Sequence, residues 1–420
     1  MEYNNLIGDN INYGSFININ TLFLNVSQQC NLRCRYCFAT GSIEPAPGRQ
    51  GTFGEATLMT KEVGRESINF LIQESNQEKE ISIVFFGGEP LINFKVIKDI
   101  VSYSSKIAAE HNKQINFELD TNGILLNDEI IDFIIKNNFR IQVSIDGPKR
   151  IHDKFRCFPN GSGSHDLVIP TVKKLLATYK EKENISARFV ITKHGTKLTN
   201  IINYLLKLGF ESINFDPVIT KESGNILNEK DFDYMNEELT KYANLFLKFA
   251  LEGKCLNTGR FLTIIKFFYD RESKRDLKNV YFCGAGRSLL GVSAKGDIYP
   301  CASYIGLNLF NLGNVFSGID LSKLRKYLAM THVDNKSNCS RCWAKYMCGG
   351  GCSHESLVMN GDIHITYERS CKFRRYRWKM GYQVYKSILE KNPGIFNQIF
   401  YYPEFKKLKK QLLDAFLKAN

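Results

Sequence analysis

The sequence predicts an α/β protein: a partial (β/α)6 barrel of TIM type, followed by a loop-rich domain organised by cysteines. Three observations carry this. Short β-branched and aromatic runs alternate with stretches of helical period up to about residue 220, the pattern of parallel βαβ units. The alternation then gives way to two long helical stretches. Finally, eight of the twelve cysteines lie at or beyond Cys255, seven of them between Cys283 and Cys371, where the chain turns loop-rich.

Taken in order, TLFLNVS (21–27) reads as a buried strand running straight into the first cysteines. ISIVFF (81–86) is the second strand, ended by Gly87-Gly88. INFELD (115–120), IQVSID (141–146), ISARFVIT (185–192) and ESINFDPV (211–218) are the third to sixth. Between them, NDEIIDFIIKNN (127–138) has Ile130, Phe133 and Ile134 at helical spacing, with Asn127 as its cap and Asn138 as its end. Six strand–helix units suit a barrel whose chemistry sits at the C-terminal strand ends. A polar connection (220–231) leads to helical stretches at 229–252 and 261–271. The expected division is an N-terminal extension (1–20), the barrel (21–220), a helical bridge (221–280), the cysteine domain (281–372) and a basic helical tail (373–420).

Composition narrows the class. Hydrophobic residues make up 43% and charged residues 24%, ordinary for a globular protein with a sizeable core. The opening MEYNNLIGDNINYGSF has no basic n-region and no apolar h-region, and no run of about 18 apolar residues follows. A cytoplasmic, membrane-free protein is expected. Twelve cysteines in a reducing compartment point to metal or redox chemistry rather than disulfides. The net charge of +13 is uneven: from Lys372 to Asn420, twelve Lys/Arg face three Asp/Glu. Such a tail is either a solvated helix face or a surface for an anionic partner.

The stretch CNLRCRYCF (30–38) holds three thiols within eight positions. A structural zinc wants four protein ligands. Three thiolates instead suit a four-iron cubane whose fourth iron is kept for a reactant.

Cys30, Cys34 and Cys37, with Tyr36 and Phe38 beside the last, resemble the signature loop of the radical S-adenosyl-L-methionine (SAM) superfamily. The resemblance implies a 4Fe-4S cluster that binds SAM and cleaves it to a 5′-deoxyadenosyl radical, which removes a substrate hydrogen. Further matches follow in order. Gly87, Gly88 and Glu89 of GGEP resemble the motif that holds the SAM amino group. Asn122 of TNG, with Ser144 and Asp146 of SIDGP, falls where the family's contacts to ribose and carboxylate lie. Arg188 is placed to pair with the SAM carboxylate.

Cys283, Cys301, Cys339, Cys342, Cys348, Cys352 and Cys371 resemble the SPASM extension of such enzymes, which implies two auxiliary 4Fe-4S clusters. By analogy Cys339, Cys342, Cys348 and Cys371 form one set and Cys283, Cys301 and Cys352 the other. The eighth cysteine of some relatives is Leu289 here, which leaves a free iron for a substrate thiolate unless Cys157 or Cys255 reaches it. A water ligand would fill that vacancy equally well. Zinc knuckles in a basic nucleic-acid binder are the competing, non-enzymatic reading, and nucleic acid is not the expected partner.

Among peptide-modifying SPASM enzymes, sulfatase maturases carry an aspartate base directly after the cysteine of YPC, where this chain has Ala302. The expected activity is therefore thioether formation in a ribosomally made precursor peptide, of the sactipeptide or ranthipeptide kind. A carbon–carbon crosslinker remains an alternative, and the catalytic base is not identified. The expected partners are the precursor peptide and an external electron donor of flavodoxin or ferredoxin type. About twenty residues precede the barrel, too few for a leader-binding winged-helix domain. A separate leader-binding protein, or the basic tail with Phe400, Tyr401, Tyr402 and Phe405, is expected to take that role.

Overall fold

Six strands run parallel and side by side in chain order: β1 (Thr21–Ser27), β2 (Glu80–Gly87), β3 (Gln114–Thr121), β4 (Arg140–Ser144), β5 (Ile185–Ile191) and β6 (Ser212–Pro217). Helices α1 (Lys61–Glu74), α2 (Phe94–Glu110), α3 (Asp128–Lys136), α4 (Lys149–Phe155), α5 (His165–Thr178) and α6 (Leu198–Leu208) connect them. This computed structural model describes residues 13–37, 39, 56–195, 197–221, 226–252, 257–258, 260–273 and 277–401. Phe38, Cys255, Tyr402 and Phe405 lie outside the described residues.

Strand periodicity sorts the side chains. In β5, Ile185, Ala187, Phe189 and Ile191 are buried in the hydrophobic core. The alternate positions, Ser186, Arg188 and Val190, belong to the other face. On that face of the neighbouring strands stand Asp120, Gln142, Asn214 and Asp216, so one side of the open sheet is polar. Helix α3 shows how local sequence sets the boundaries. Asn127 accepts a hydrogen bond from the Ile130 amide at 2.9 Å, and Asp128 and Glu129 oppose the helix dipole. Asn138, at φ 49°, takes the left-handed turn just beyond the helix.

After α7 (Glu229–Leu251), strand β7 (Asn257–Thr258) and α8 (Phe261–Ser273), the chain returns to the opposite edge of the sheet. β8 (Leu289–Val292) pairs in parallel with β1, Thr21 opposite Leu289. β9 (Asp297–Tyr299), β10 (Gly313–Asn314) and β11 (Gly318–Ile319) continue antiparallel. One eleven-stranded sheet results, in the order β11-β10-β9-β8-β1-β2-β3-β4-β5-β6-β7, and it does not close. The cysteine region, with α9 (Leu321–Thr331), α10 (Lys345–Cys348) and α11 (Ser353–Asn360), thus extends the barrel sheet.

Helix α12 (Glu368–Lys391) begins inside the expected cysteine domain and lies against α7 and α8. Phe373, Met380, Val384 and Ile388 are buried there, and a Cβ on Gly381 would stand 2.4 Å from Ile264. Residues 373–391 are therefore packed structure rather than a solvated tail. In α13 (Gly394–Tyr401), the Phe400 ring packs on Tyr269, 5.5 Å between centroids. No helix among the described residues is long and apolar enough to cross a membrane.

Candidate functional site

The C-terminal strand ends meet at a cavity of ≈290 Å³. β1 delivers Cys30, Cys34 and Cys37 to it, and the turn after β2 is laced to that loop: Gly88 N donates to Ser27 O and Glu89 N to Gln29 O, each at 2.8 Å. Both glycines are required by this close approach. At Gly87, φ is +141° and a Cβ would fall 2.1 Å from Ser27 O; at Gly88 it would fall 2.3 Å from Gln29 O. From the other side, Arg33 N donates to Cys157 O at 2.7 Å and Arg35 N to Phe155 O at 2.9 Å. Cys157, with its thiol against Arg33 O at 3.2 Å, belongs under this loop. α4 leads the chain to this position.

Tyr36, Gly87, Gly88, Asn122, Ser144 and Arg188 line the cavity. Glu89 and Asp146 do not, and their carboxylates are occupied by the protein itself. Glu89 is fully buried and accepts from Thr121 Oγ1 and Asn122 N at 2.8 Å and from Leu91 N at 3.1 Å. It holds the TNG turn against GGEP. Burial pushes it up to about 7, against the lowering pull of those donors. Asp146 accepts from the Tyr36 hydroxyl, from Arg156 Nε at 3.1 Å and from Val190 N at 3.1 Å. It fixes the residues beneath the cysteine loop.

Sequence reading missed several residues here. Arg156 is buried, lies 5.5 Å over the Tyr36 ring and lines the cavity. Asp216, at the end of β6, stands among Arg188 (3.2 Å), Arg260 (3.8 Å) and Arg377 (4.0 Å). Burial would raise its carboxyl, but these arginines hold it below the usual range. Asp120, hydrogen-bonded by Gln142 at 3.0 Å, has no such cluster, and burial pushes it up to about 6. It also lines a second, polar cavity of ≈680 Å³ with Glu118 and Asn214. Nothing in the local sequence marks these residues, whose partners come from distant strands.

The thiols fall into three groups. Burial pushes Cys30, Cys34 and Cys37 up to about 12, and mutual repulsion adds to it. Cys301 is likewise pushed up to about 12 by burial and then by Cys283 and Cys352. Cys339 rises to about 11 through burial and the neighbouring Cys371, Cys348 and Cys342. Among the described residues no group of three is drawn together as for a single ion. The donor chemistry nevertheless suits metal–thiolate centres, which require deprotonated thiols. Buried cations stand ready beside them: Lys336, Arg374 and Arg377 are 1%, 9% and 5% exposed, and Arg374 Nη1 and Arg377 Nε lack a hydrogen-bond partner. Ser303 and His354, each two residues beyond a cysteine of the Cys283, Cys301 and Cys352 group, line the same cavity as Cys30.

Comparison with known proteins agrees with this geometry. Residues 24–187 match the radical SAM superfamily. The chain is 26% identical over 339 residues to a cysteine-type anaerobic sulfatase-maturating enzyme of Clostridium novyi (strain NT), covering 78% of this chain and 85% of that one. It is 26% identical over 397 residues to the radical SAM cyclopropyl synthase TigE of Paramaledivibacter caminithermalis, covering 90% and 75% respectively. The fold resembles native anSMEcpe with bound AdoMet and Cp18Cys peptide, with a TM-score of 0.70 at 22% identity, over 88% of this chain and 99% of that one. Residues 24–187 thus form a radical SAM domain, and the chain as a whole is similar to an anaerobic sulfatase-maturating enzyme and a radical SAM cyclopropyl synthase.

Proposed function

We propose that this protein is a radical SAM peptide maturase that joins a cysteine sulfur to a carbon of another residue in a ribosomally made precursor. The observation that carries this reading is a single cavity lined both by Cys30, Cys34 and Cys37 and by Ser303 and His354, neighbours of the second thiol group. Cys30, Cys34 and Cys37 would hold the 4Fe-4S cluster that binds SAM, which supplies a 5′-deoxyadenosyl radical. Gly87, Gly88, Asn122, Ser144 and Arg188 would orient SAM, while Glu89 and Asp146 brace the turns that carry those contacts. Cys339, Cys342, Cys348 and Cys371, and separately Cys283, Cys301 and Cys352, would hold two auxiliary clusters, the second with an iron open to the donor thiolate. Holding that sulfur beside the radical site supplies the proximity on which the bond formation depends.

Relatives named for sulfatase maturation and cyclopropyl synthesis, and the peptide-bound structure of similar fold, support a peptide substrate. The likeness to the cysteine-type maturase favours formylglycine formation as a second reading. Against it, Ala302 supplies no carboxylate after Cys301.

The test uses anaerobically purified enzyme with SAM, a reductant of flavodoxin or ferredoxin type, and a cysteine-containing peptide encoded beside the gene. The expected product is lighter by a pair of hydrogens and has lost an alkylatable thiol. A carbon–carbon crosslink would leave every cysteine open to alkylation, and formylglycine would lose the sulfur itself. Deoxyadenosine without any change in peptide mass would remove this class of reaction.

A further inference from the structure

A lysine sits among the thiols of the cysteine-rich region. Lys336 is 1% exposed, and its Nζ donates to the carbonyl of Gly350 at 3.1 Å. Gly350 stands midway between Cys348 and Cys352 in the chain, one from each thiol group. Gly349, Gly350 and Gly351 all have positive φ, and a Cβ on Gly350 would fall 3.0 Å from Lys336 Cδ. Gly350 therefore packs against the lysine stem. The backbone carbonyl of Lys336 accepts from Cys339 N at 2.9 Å, which ties it to the first group again.

Burial removes the Lys336 ammonium from water, and the thiols of Cys352, Cys339 and Cys348 are nearby groups that favour its charge. Arg374 adds a repulsion. A buried cation without an anion is costly. The anion that fits is a thiolate, from both groups at once.

We propose that Lys336 is a positioning residue that raises the reduction potentials of both auxiliary clusters together. This rests on the reading that the two thiol groups ligate iron–sulfur clusters. Reduction adds one negative charge to a centre already anionic, and a fixed cation in a low-dielectric interior favours that state. Closing the carbon–sulfur bond leaves one electron to be removed. The clusters that Cys283, Cys301 and Cys352 and that Cys339, Cys342, Cys348 and Cys371 would hold could take up that electron and pass it to an external one-electron carrier. A cation shared by both sites would shift the two potentials in the same direction.

The experiment is an anaerobic redox titration followed by electron paramagnetic resonance. It uses the full chain with Cys30, Cys34 and Cys37 replaced by Ala, so that only auxiliary signals remain. Lys336→Gln is the main variant, because it removes the charge yet keeps a donor for Gly350; Lys336→Met and Lys336→Arg accompany it. Both midpoint potentials are expected to fall in Lys336→Gln by at least a tenfold change in the reduction equilibrium, about 59 mV for one electron, with most of the loss recovered in Lys336→Arg. Unchanged potentials, or a shift at one site only, would overturn the proposal. So would loss of iron from both neutral variants with retention in Lys336→Arg, which would make the charge an assembly requirement. If the parent protein shows no auxiliary iron–sulfur signal, the cluster reading itself fails, which is a distinct result.

Discussion

Asp120 and Asp216 face the same cavity from β3 and β6, yet their surroundings drive them apart. Asp216 has arginines on three sides and stays ionised, whereas Asp120 is pushed up to about 6 by burial with only a weaker pull from Arg188. A raised carboxyl destabilises the fold when ionised, so stability falls as pH climbs from about 4 to about 6. Asp120→Asn should therefore melt higher than the parent at pH 8, with the difference fading below pH 4, in thermal scans of metal-free protein. Glu89→Ala should act oppositely. It strands the Asn122 and Leu91 amides, at about 1–3 kcal/mol for each buried donor. Denaturant titration should show that loss, and calorimetry a weaker affinity for SAM, because Asn122 is no longer held at the cavity. At this scale the cysteines were legible in the sequence through their spacing. Arg156, Lys336 and Asp216 were not, because a lone charged residue reveals nothing until its partner is known.

Among the elements, α12 departs furthest from expectation. Its Lys and Arg content suggested either a solvated helix face or a surface for an anionic partner, but long basic side chains also leave room for an apolar stripe, and Phe373, Met380, Val384 and Ile388 form one against α7 and α8. Truncation after Arg377 should thus unfold the helical layer, seen as early melting and loss of helical circular dichroism. Truncation after Tyr401 isolates the remaining basic residues. If the basic residues beyond Tyr401 hold an acidic leader, salt-sensitive binding of such a peptide falls in both variants; unchanged affinity in the second dismisses them as the leader site. The strands and α3 were legible because alternation and capping act within a few residues. Strand β8 was not, since LLGV is too short to declare its partner.

For the whole molecule, one eleven-stranded sheet joins barrel and cysteine region through the β1–β8 pairing. Ser303 and His354, each two residues beyond a cysteine of the second field, line the same cavity as Cys30, Cys34 and Cys37. The groupings predict a graded loss of metal: replacing Cys30, Cys34 and Cys37 by Ala should remove about a third of the iron and all SAM cleavage. Replacing Cys339, Cys342, Cys348 and Cys371 should remove a similar share while deoxyadenosine still forms. Iron and sulfide analysis beside product chromatography reads both.

By itself the sequence determined the βαβ order, the three-thiol loop at the end of the first strand, the seven-cysteine field and the resemblance they carry. These rest on short-range regularities: period two, period 3.6 and ligand spacing. Only the tertiary structure decided that Glu89 and Asp146 brace turns instead of facing the cavity, that Cys157 lies under the first loop, and that α12 is packed. It also decided that buried cations surround the thiols. Each of those depends on which distant group fills a given volume, and charge and burial acquire their energies only once the chain has closed around them.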